Sequence, residues 1–432
     1  MYDVYVTYAR QFSPRLLARA VRAVSAGEEA RPARDLVWDS RAVAPEAAFV
    51  ALPGSRTHGE AYADEALSKG AALVIGTRNR RRGIQVNDPY RALVLLGRWL
   101  RTGFPGPVVA VSGSVGKTST KEALSRGLDW PATPGNLNTP PALARFFWHL
   151  SPDADGAVVE LGIDHPGEMD DLLELSTPDL GVLTAIAPVH LEGLGDMATV
   201  AREKLKLLEH SALRLAHIDT AKWGLPAGTH TYGFGEDARF RGRDLELGCE
   251  GSSFRYSGHT IRLRAPGRGA ALAALAALAA TELLDGDVHT VAERLEITGP
   301  APGRLEPLRI HGVLWLNDTY NASPTALAAA LEVLERCPGP RGVILGTMRE
   351  LGPAAEHLHL EAAKRISKVA ERALFIGEFA EAMAAGWENA IPATDVDAAA
   401  EILPRWSRGL SSILVKGSRA LEMERLLEVA RA

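Results

Sequence analysis

VVAVSGSVGKTSTKEAL, residues 108–124, decides the fold. A β-branched apolar run enters Ser112-Gly113-Ser114-Val115-Gly116-Lys117-Thr118-Ser119, and helix-forming residues follow. Strand, glycine loop and helix in that order make a phosphate cradle. Gly113 and Gly116 let backbone N–H groups converge with no Cβ in the way. The helix start adds partial positive charge. Lys117 is placed to reach β- and γ-phosphates, and Thr118 to offer its hydroxyl to Mg²⁺. The fully spaced pattern would want Gly at Val111, so this is a shortened variant. The strand before the loop and the helix after it argue against a chance Gly-Lys-Thr in a surface turn.

Working outward, near-continuous apolar strands are expected at 108–111, 157–161 and 181–186, with helices at 118–128 and 198–213. Such alternation predicts a mostly parallel sheet covered by helices. Ligands of open α/β sheets bind beyond the carboxyl ends of the strands. Glu160 ends the second strand and His190 follows the third, so both are expected beside the phosphate loop. Thr118, Glu160 and His190 then form a mixed O/N set suited to Mg²⁺, with the His at a second metal position. Asp164 and His165 are equally well explained as helix-capping or surface residues. Lys204 and Lys206, on the next helix, are on chemistry alone ordinary solvated charges.

The chain of 432 residues leaves room for about three domains at roughly 150 residues each. A composition that is 46% hydrophobic and 23% charged is that of a globular chain, not a disordered or collagen-like one. Two cysteines, Cys249 and Cys337, exclude a disulfide-framed scaffold and a cysteine zinc cluster. No run of 18 apolar residues suggests a membrane span, and the start MYDVYVTYARQ is unlike a signal peptide, so a cytoplasmic protein is expected. A net charge of −5 gives no global attraction to nucleic acid. The basic run Arg78–Arg82 reads as a solvated loop.

Before the loop, strands at 48–52 and 71–75 flank a helix at 61–69, and a helix follows at 89–100. TGFPGP (102–107) is a linker with a domain boundary near 105. Residues 228–265 read as antiparallel hairpins inserted at the edge of the central sheet. The alanine-rich stretch from Ala270 reads as a packed core helix. TGPAPGRLEP (298–307) is a second linker. Strands at 314–316, 342–345, 373–376 and 412–415, with helices from Pro324 and over 354–369, then make another α/β domain ending on a helix. At its strand ends, Asn317-Asp318-Thr319-Tyr320-Asn321 and Val415-Lys416-Gly417-Ser418-Arg419 are candidates to hold a nucleotide or an anion. Arg304 in the linker is a candidate phosphate ligand.

Taken together, SGSVGKTSTKE (112–122), VVELG (158–162), HLEGLG (190–195), AREKLK (201–206), PGRLE (302–306), NDTYNASP (317–324) and VKGSR (415–419) resemble the ATP-dependent Mur ligases. These enzymes build the peptide stem of the bacterial cell wall. WDSRAVAPEAAFVALPGSRTHGEAYADEALSKGAALVI (38–75) resembles the family's UDP-sugar-binding domain, and the likeness spans residues 35–430. The resemblance implies an α/β fold of three domains: a small α/β substrate domain (1–104), a central P-loop ATPase of mostly parallel sheet (105–298) and a C-terminal Rossmann-like domain (299–432). It implies ATP and two Mg²⁺ sites, with residues 112–119, Asn136, Arg304 and Asn321 on the nucleotide. Thr118, Glu160, His190 and Lys204 would serve the metals, Lys204 as a carbamate.

Asp39, Ser40 and Arg41 would lie near the UDP-bearing substrate, with Arg41 or Arg56 pairing with its diphosphate. Lys416, Ser418 and Arg419 would lie near the incoming dipeptide or the acyl carboxylate. The family member most resembled joins D-Ala-D-Ala to UDP-N-acetylmuramoyl-tripeptide through an acyl phosphate, and a monomer is expected. The chain departs from the family's patterns at Gly135-Asn136-Leu137-Asn138-Thr139-Pro140, which is shorter, and at Arg268-Gly269-Ala270, where an adenosine-side Asn is missing. Another Mur ligase, a folylpolyglutamate-synthase-like ligase and a non-catalytic precursor- or ATP-binding homologue are the alternatives.

Overall fold

The computed structural model describes residues 10–54, 57–189 and 191–432. These form two compact units, one comprising the chain up to Lys121 with Asp129–His230, the other Glu122–Leu128 with Thr231–Ala432.

The first unit holds two α/β layers. In one, Ser25–Ala26, Gly83–Gln85, Leu73–Gly76, Ala47–Val50 and Asp35–Val37 lie side by side in that order. Only Ser25–Ala26 runs antiparallel. In the other, the strands belonging to this unit run Leu213–His217, Leu180–Leu183, Val108–Ser112 and Ala157–Glu160, all parallel. Val108–Ser112, Ala157–Glu160 and Leu180–Leu183 are buried at every position, as apolar strands covered on both faces must be. Glu160 pairs with Val111, and Ser112 with Leu183, so the three strand ends are level.

Polar ties join the two layers. Asp35 accepts from Arg145 Nε and Nη2, both at 2.8 Å, and bonds His149 Nε2 at 2.7 Å. Tyr90 Oη donates to Asp171 Oδ2 at 2.9 Å. The basic run at 78–82 is bound up locally: Arg80 pairs with Glu60 at 2.7 Å, and Arg81 with Glu29 at 2.7 Å.

In the second unit, Arg243–Leu247, Ser252–Tyr256 and His259–Leu263 form a separate antiparallel sheet. The expectation of hairpins added to the edge of the parallel sheet is thus corrected. Exposed and buried residues alternate along Ser252–Tyr256, so one face of this sheet is solvated and the other covered. Before it, His230–Gly233 pairs in parallel with Phe240–Arg241. The helix Arg268–Leu283 is buried from Ala273 through Thr281, as expected of a packed core helix.

The last sheet runs Glu306–Ile310, Val313–Asp318, Ser412–Lys416, Arg341–Gly346, Arg372–Ile376 and Ala390–Ala393. Its first pair is antiparallel and the rest are parallel. The second linker therefore ends as an edge strand. Two further expectations shorten. The strand at 181–186 stops at Leu183, because Thr184 turns its hydroxyl to the Val115 carbonyl at 2.7 Å. The helix at 198–213 stops at Glu209, and Leu213 opens the next strand. Among the described residues no helix is long and apolar enough to cross a membrane.

Candidate active site

The phosphate loop is pinned from both sides. Ser112 Oγ donates to Leu161 O at 2.9 Å, tying the loop's base to the strand that ends in Glu160. On the other side Ser114 N–H donates to Ala185 O at 2.8 Å, and Ser114 Oγ to Ala187 O at 2.9 Å. Gly113 has φ +149°, and a Cβ there would lie 2.0 Å from Thr184 Oγ1. Gly116 has φ +85°, a conformation that disfavours any side chain. Lys117 opens the helix Lys117–Leu128 and donates from Nζ to Gly113 O at 2.9 Å, folded back over the loop. Thr118 is buried beside it, at the helix start.

Glu160 is 1% exposed. Its Oε1 accepts from Asn138 Nδ2 at 3.0 Å, its backbone N–H donates to Thr133 Oγ1 at 3.0 Å, and its Oε2 is buried with no hydrogen-bond partner. A buried carboxylate oxygen without a donor is costly unless a cation or donor arrives. That oxygen, Thr118 and the open loop fit a nucleotide phosphate with its divalent ion. Among the described residues no three His, Cys, Asp or Glu cluster as a metal site. Of the expected set Thr118, Glu160, His190 and Lys204, only Glu160 is such a residue here, and His190 lies outside the described residues. Mg²⁺ is suited to this, since it is commonly held by one or two carboxylates together with substrate phosphates and water.

Lys204 is 1% exposed on the helix Met197–Glu209. Burial and then the neighbouring Lys117 push its pKa down to about 7, against the pull of Asp164. Lys206 pairs with Asp170 at 2.8 Å and Glu203 at 2.9 Å and its side chain is 20% exposed, so neither lysine is the solvated charge expected on chemistry alone. Ser119 is half-buried on the first turn of the loop's helix, and Asn136 is exposed. The supporting pair Thr133 and Asn138 was not expected to touch Glu160. The sequence signal was a run of small polar residues with no periodicity.

In the first layer, Asp39 accepts from Arg41 N at 2.9 Å and pairs with Arg41 Nη2 at 2.7 Å. Those hydrogen bonds hold the Asp39 carboxyl down at about 2. The Arg41 side chain is 86% exposed, whereas Ser40 is buried. Arg56 lies outside the described residues.

In the second unit, Arg304, Asn321 and Lys416 come together. The Arg304 guanidinium lies 3.8 Å from the centre of the Tyr320 ring. Lys416 is buried, pairs with Asp318 and donates to Asn321 O at 2.9 Å. Asp318 Oδ1 accepts from Leu305 N at 3.2 Å, which sews the linker to the strand end. Ser418 is buried and accepts from Arg349 N at 2.9 Å, and Arg419 is exposed and pairs with Glu424 at 2.5 Å.

A parallel sheet whose level strand ends carry a pinned glycine loop, a lysine and a buried acid defines a nucleotide-binding α/β protein of the phosphate-loop class. Three family models narrow this: the Mur ligase family catalytic domain over residues 35–92, the Mur ligase middle domain over 111–281, and the Mur ligase glutamate ligase domain over 303–419. The chain belongs to the Mur ligase family, an ATP-dependent ligase family. It is 30% identical over 420 residues to UDP-N-acetylmuramoyl-tripeptide–D-alanyl-D-alanine ligase of Escherichia coli K12, covering 91% of this chain and 92% of that one. Among solved structures it is similar to MurF from Acinetobacter baumannii, with a TM-score of 0.87 at 25% identity, over 98% of this chain and 100% of that one. It is also similar to MurF ligase from Thermotoga maritima in complex with ADP, with a TM-score of 0.80 at 28% identity, over 92% and 97%.

Proposed function

We propose that the chain joins D-alanyl-D-alanine to UDP-N-acetylmuramoyl-tripeptide at the cost of ATP, giving the pentapeptide precursor of peptidoglycan, ADP and phosphate. The observation that carries this is a pinned phosphate loop on the strand beside the one that ends in Glu160, in a chain alike, over nine-tenths of its length, to a ligase of that name. A carboxylate is a poor electrophile because oxide would have to leave. Transfer of the γ-phosphoryl group to it makes an acyl phosphate, from which phosphate leaves readily. The dipeptide amine attacks the carbonyl carbon, a tetrahedral intermediate collapses, and the amide forms.

Lys117 neutralises charge that builds on the transferring phosphoryl group, and the loop N–H groups orient it. Thr118 and Glu160 would hold a divalent ion, which would supply further charge neutralisation for phosphoryl transfer. In this reading His190 serves a second metal position and residues 112–119 with Asn136 hold the nucleotide. Arg304 and Asn321 would contact the nucleotide, Asp39–Arg41 meet the UDP-bearing substrate, and Lys416, Ser418 and Arg419 lie near the dipeptide or acyl carboxylate.

Lys204 serves as a carbamate. Its support is a buried amine whose pKa of about 7 leaves a nucleophilic neutral fraction at physiological pH, able to add to CO₂ with loss of a proton. The domain limits are 1–104, 105–298 and 299–432. The protein acts as a cytoplasmic monomer in cell-wall synthesis, and so in cell shape and division.

The test is ADP release across UDP-muramoyl acceptors of different stem length, each offered single amino acids or D-Ala-D-Ala. Turnover confined to tripeptide plus dipeptide supports the assignment, and preference for a shorter stem with one amino acid moves the protein to an earlier step. Label from an ¹⁸O-carboxylate should appear in phosphate. AMP with pyrophosphate as products would overturn the mechanism.

A further inference from the structure

Lys121 has no part in the chemistry above, yet it is 0% exposed and among the largest fully buried side chains. A buried ammonium is retained only where donors and charge are met. Its Nζ donates to Thr133 O at 2.7 Å and to Gly135 O at 2.8 Å. Lys121 stands one helical turn beyond Lys117, so the two lysines share a helix face. The first folds back on the phosphate loop, and the second holds the segment Thr133–Asn138.

That segment is what fixes Glu160. Thr133 Oγ1 accepts from the Glu160 N–H at 3.0 Å, and Asn138 Nδ2 donates to Glu160 Oε1 at 3.0 Å. The far end of the segment is locked as well. Gly162 N–H donates to Asn138 O at 3.2 Å, and a Cβ on Gly162 would lie 2.3 Å from Asn138 Nδ2. With Oε1 occupied by Asn138, the oxygen left over is the partnerless Oε2.

We infer that Lys121 is a positioning residue: through the Thr133–Asn138 arm it sets the Glu160 carboxylate so that one oxygen is kept for the divalent ion of the nucleotide. Groups that orient a metal ligand from behind are typically worth about 10- to 100-fold in metal affinity. The inference rests on the nucleotide–metal reading of the loop, and the test separates the two.

The experiment measures Mn²⁺ binding by electron paramagnetic resonance in the presence of a non-hydrolysable ATP analogue, alongside the Mg²⁺ dependence of ADP release. It uses the full chain, Lys121→Met, Asn138→Ala and the double variant. Both single variants should weaken Mn²⁺ binding and raise the Mg²⁺ needed for half-maximal rate by about tenfold, with the KM for D-Ala-D-Ala unchanged. The double variant should fall no further than the worse single, because both act through one arm. If Lys121→Met does not fold, Asn138→Ala carries the test, and wild-type Mn²⁺ affinity in it overturns the arm. Lower thermal stability of Lys121→Met with wild-type Mn²⁺ affinity also overturns it, since the lysine is then only packing. Failure of the wild-type protein to bind Mn²⁺ with the analogue strikes the functional reading instead.

Discussion

Two lysines near the carboxyl ends of parallel strands, one in each unit, are treated in opposite ways. Lys416 ends the strand Ser412–Lys416, and Asp318 faces it across the register of the neighbouring strand, so its charge is closed within the chain. Lys204 is as deeply buried, but among the described residues no ion pair involves it, and its pKa is driven down to about 7. In the same unit Glu160 keeps an oxygen without a donor. A fold saturates buried charge where that charge holds strand ends together, whatever else the group meets. Where it leaves charge unsatisfied at a level set of strand ends, the missing partner comes from outside.

The largest effect should come from breaking the unsatisfied corner. Lys117→Ala should lower kcat by about a thousandfold, because it removes a charge aimed at the transferring phosphoryl group. Circular dichroism should be unchanged, and a residual rate above a tenth of wild type would place the phosphate elsewhere. Lys204→Ala should lose about a hundredfold or more, the scale of one lost electrostatic contact in a transition state. Short carboxylic acids should restore part of it by supplying the carboxylate that a carbamate provides, and full activity without them would remove Lys204 from the site.

The saturated corner should respond in stability. Lys416→Met leaves Asp318 buried and unpaired, and should cost about 3 kcal/mol in denaturant unfolding. Lys416→Met combined with Asp318→Leu should recover most of that, since removing both charges avoids the orphan. An unchanged midpoint in the single variant would mean that the Asp318 pair carries no stability, and would erase the contrast whatever happens to turnover.

The corner that works on phosphate was legible because its parts are local. Gly113, Gly116, Lys117 and Thr118 sit within six residues, and Glu160 is marked by the apolar strand it ends. Strand–helix alternation likewise predicts the central parallel sheet and the α/β character of the last domain. What stayed hidden depends on partners distant in sequence. Lys121 looks like any helix lysine until Thr133 and Gly135 arrive beneath it. Lys204 looks solvated until burial is known, and only the resemblance to the family raised it. The separate antiparallel sheet at 243–263 was misplaced, because hairpin periodicity tells which strands pair with each other and not which sheet they join. The start of the edge strand Glu306–Ile310 was read as linker, since Pro307 and the prolines and glycines just before it masked a pairing supplied by Val313–Asp318.

The smallest expected effect tests whether a saturated charge in the first unit behaves like the Lys416 pair. Asp35 joins the two layers there through Arg145 and His149, with a further bond from Leu36 N at 2.7 Å. Burial raises its pKa, but the hydrogen bonds from His149 and Arg145 outweigh burial and hold the carboxyl well below the usual carboxylate range. A folded-state pKa below the unfolded value means that the contribution to stability is fully present above pH ~4 and is lost as pH falls toward the folded value. Asp35→Asn should therefore cost about 2 kcal/mol at pH 7, between a surface pair and a buried one, since the Asp35 side chain is 24% exposed and Arg145 46%. The gap between variant and wild type, read from urea midpoints, should narrow when both are measured near pH 3. A gap of the same size at both pH values would mean that the asparagine fails on shape and not on charge, and Asp35 would leave the saturated class.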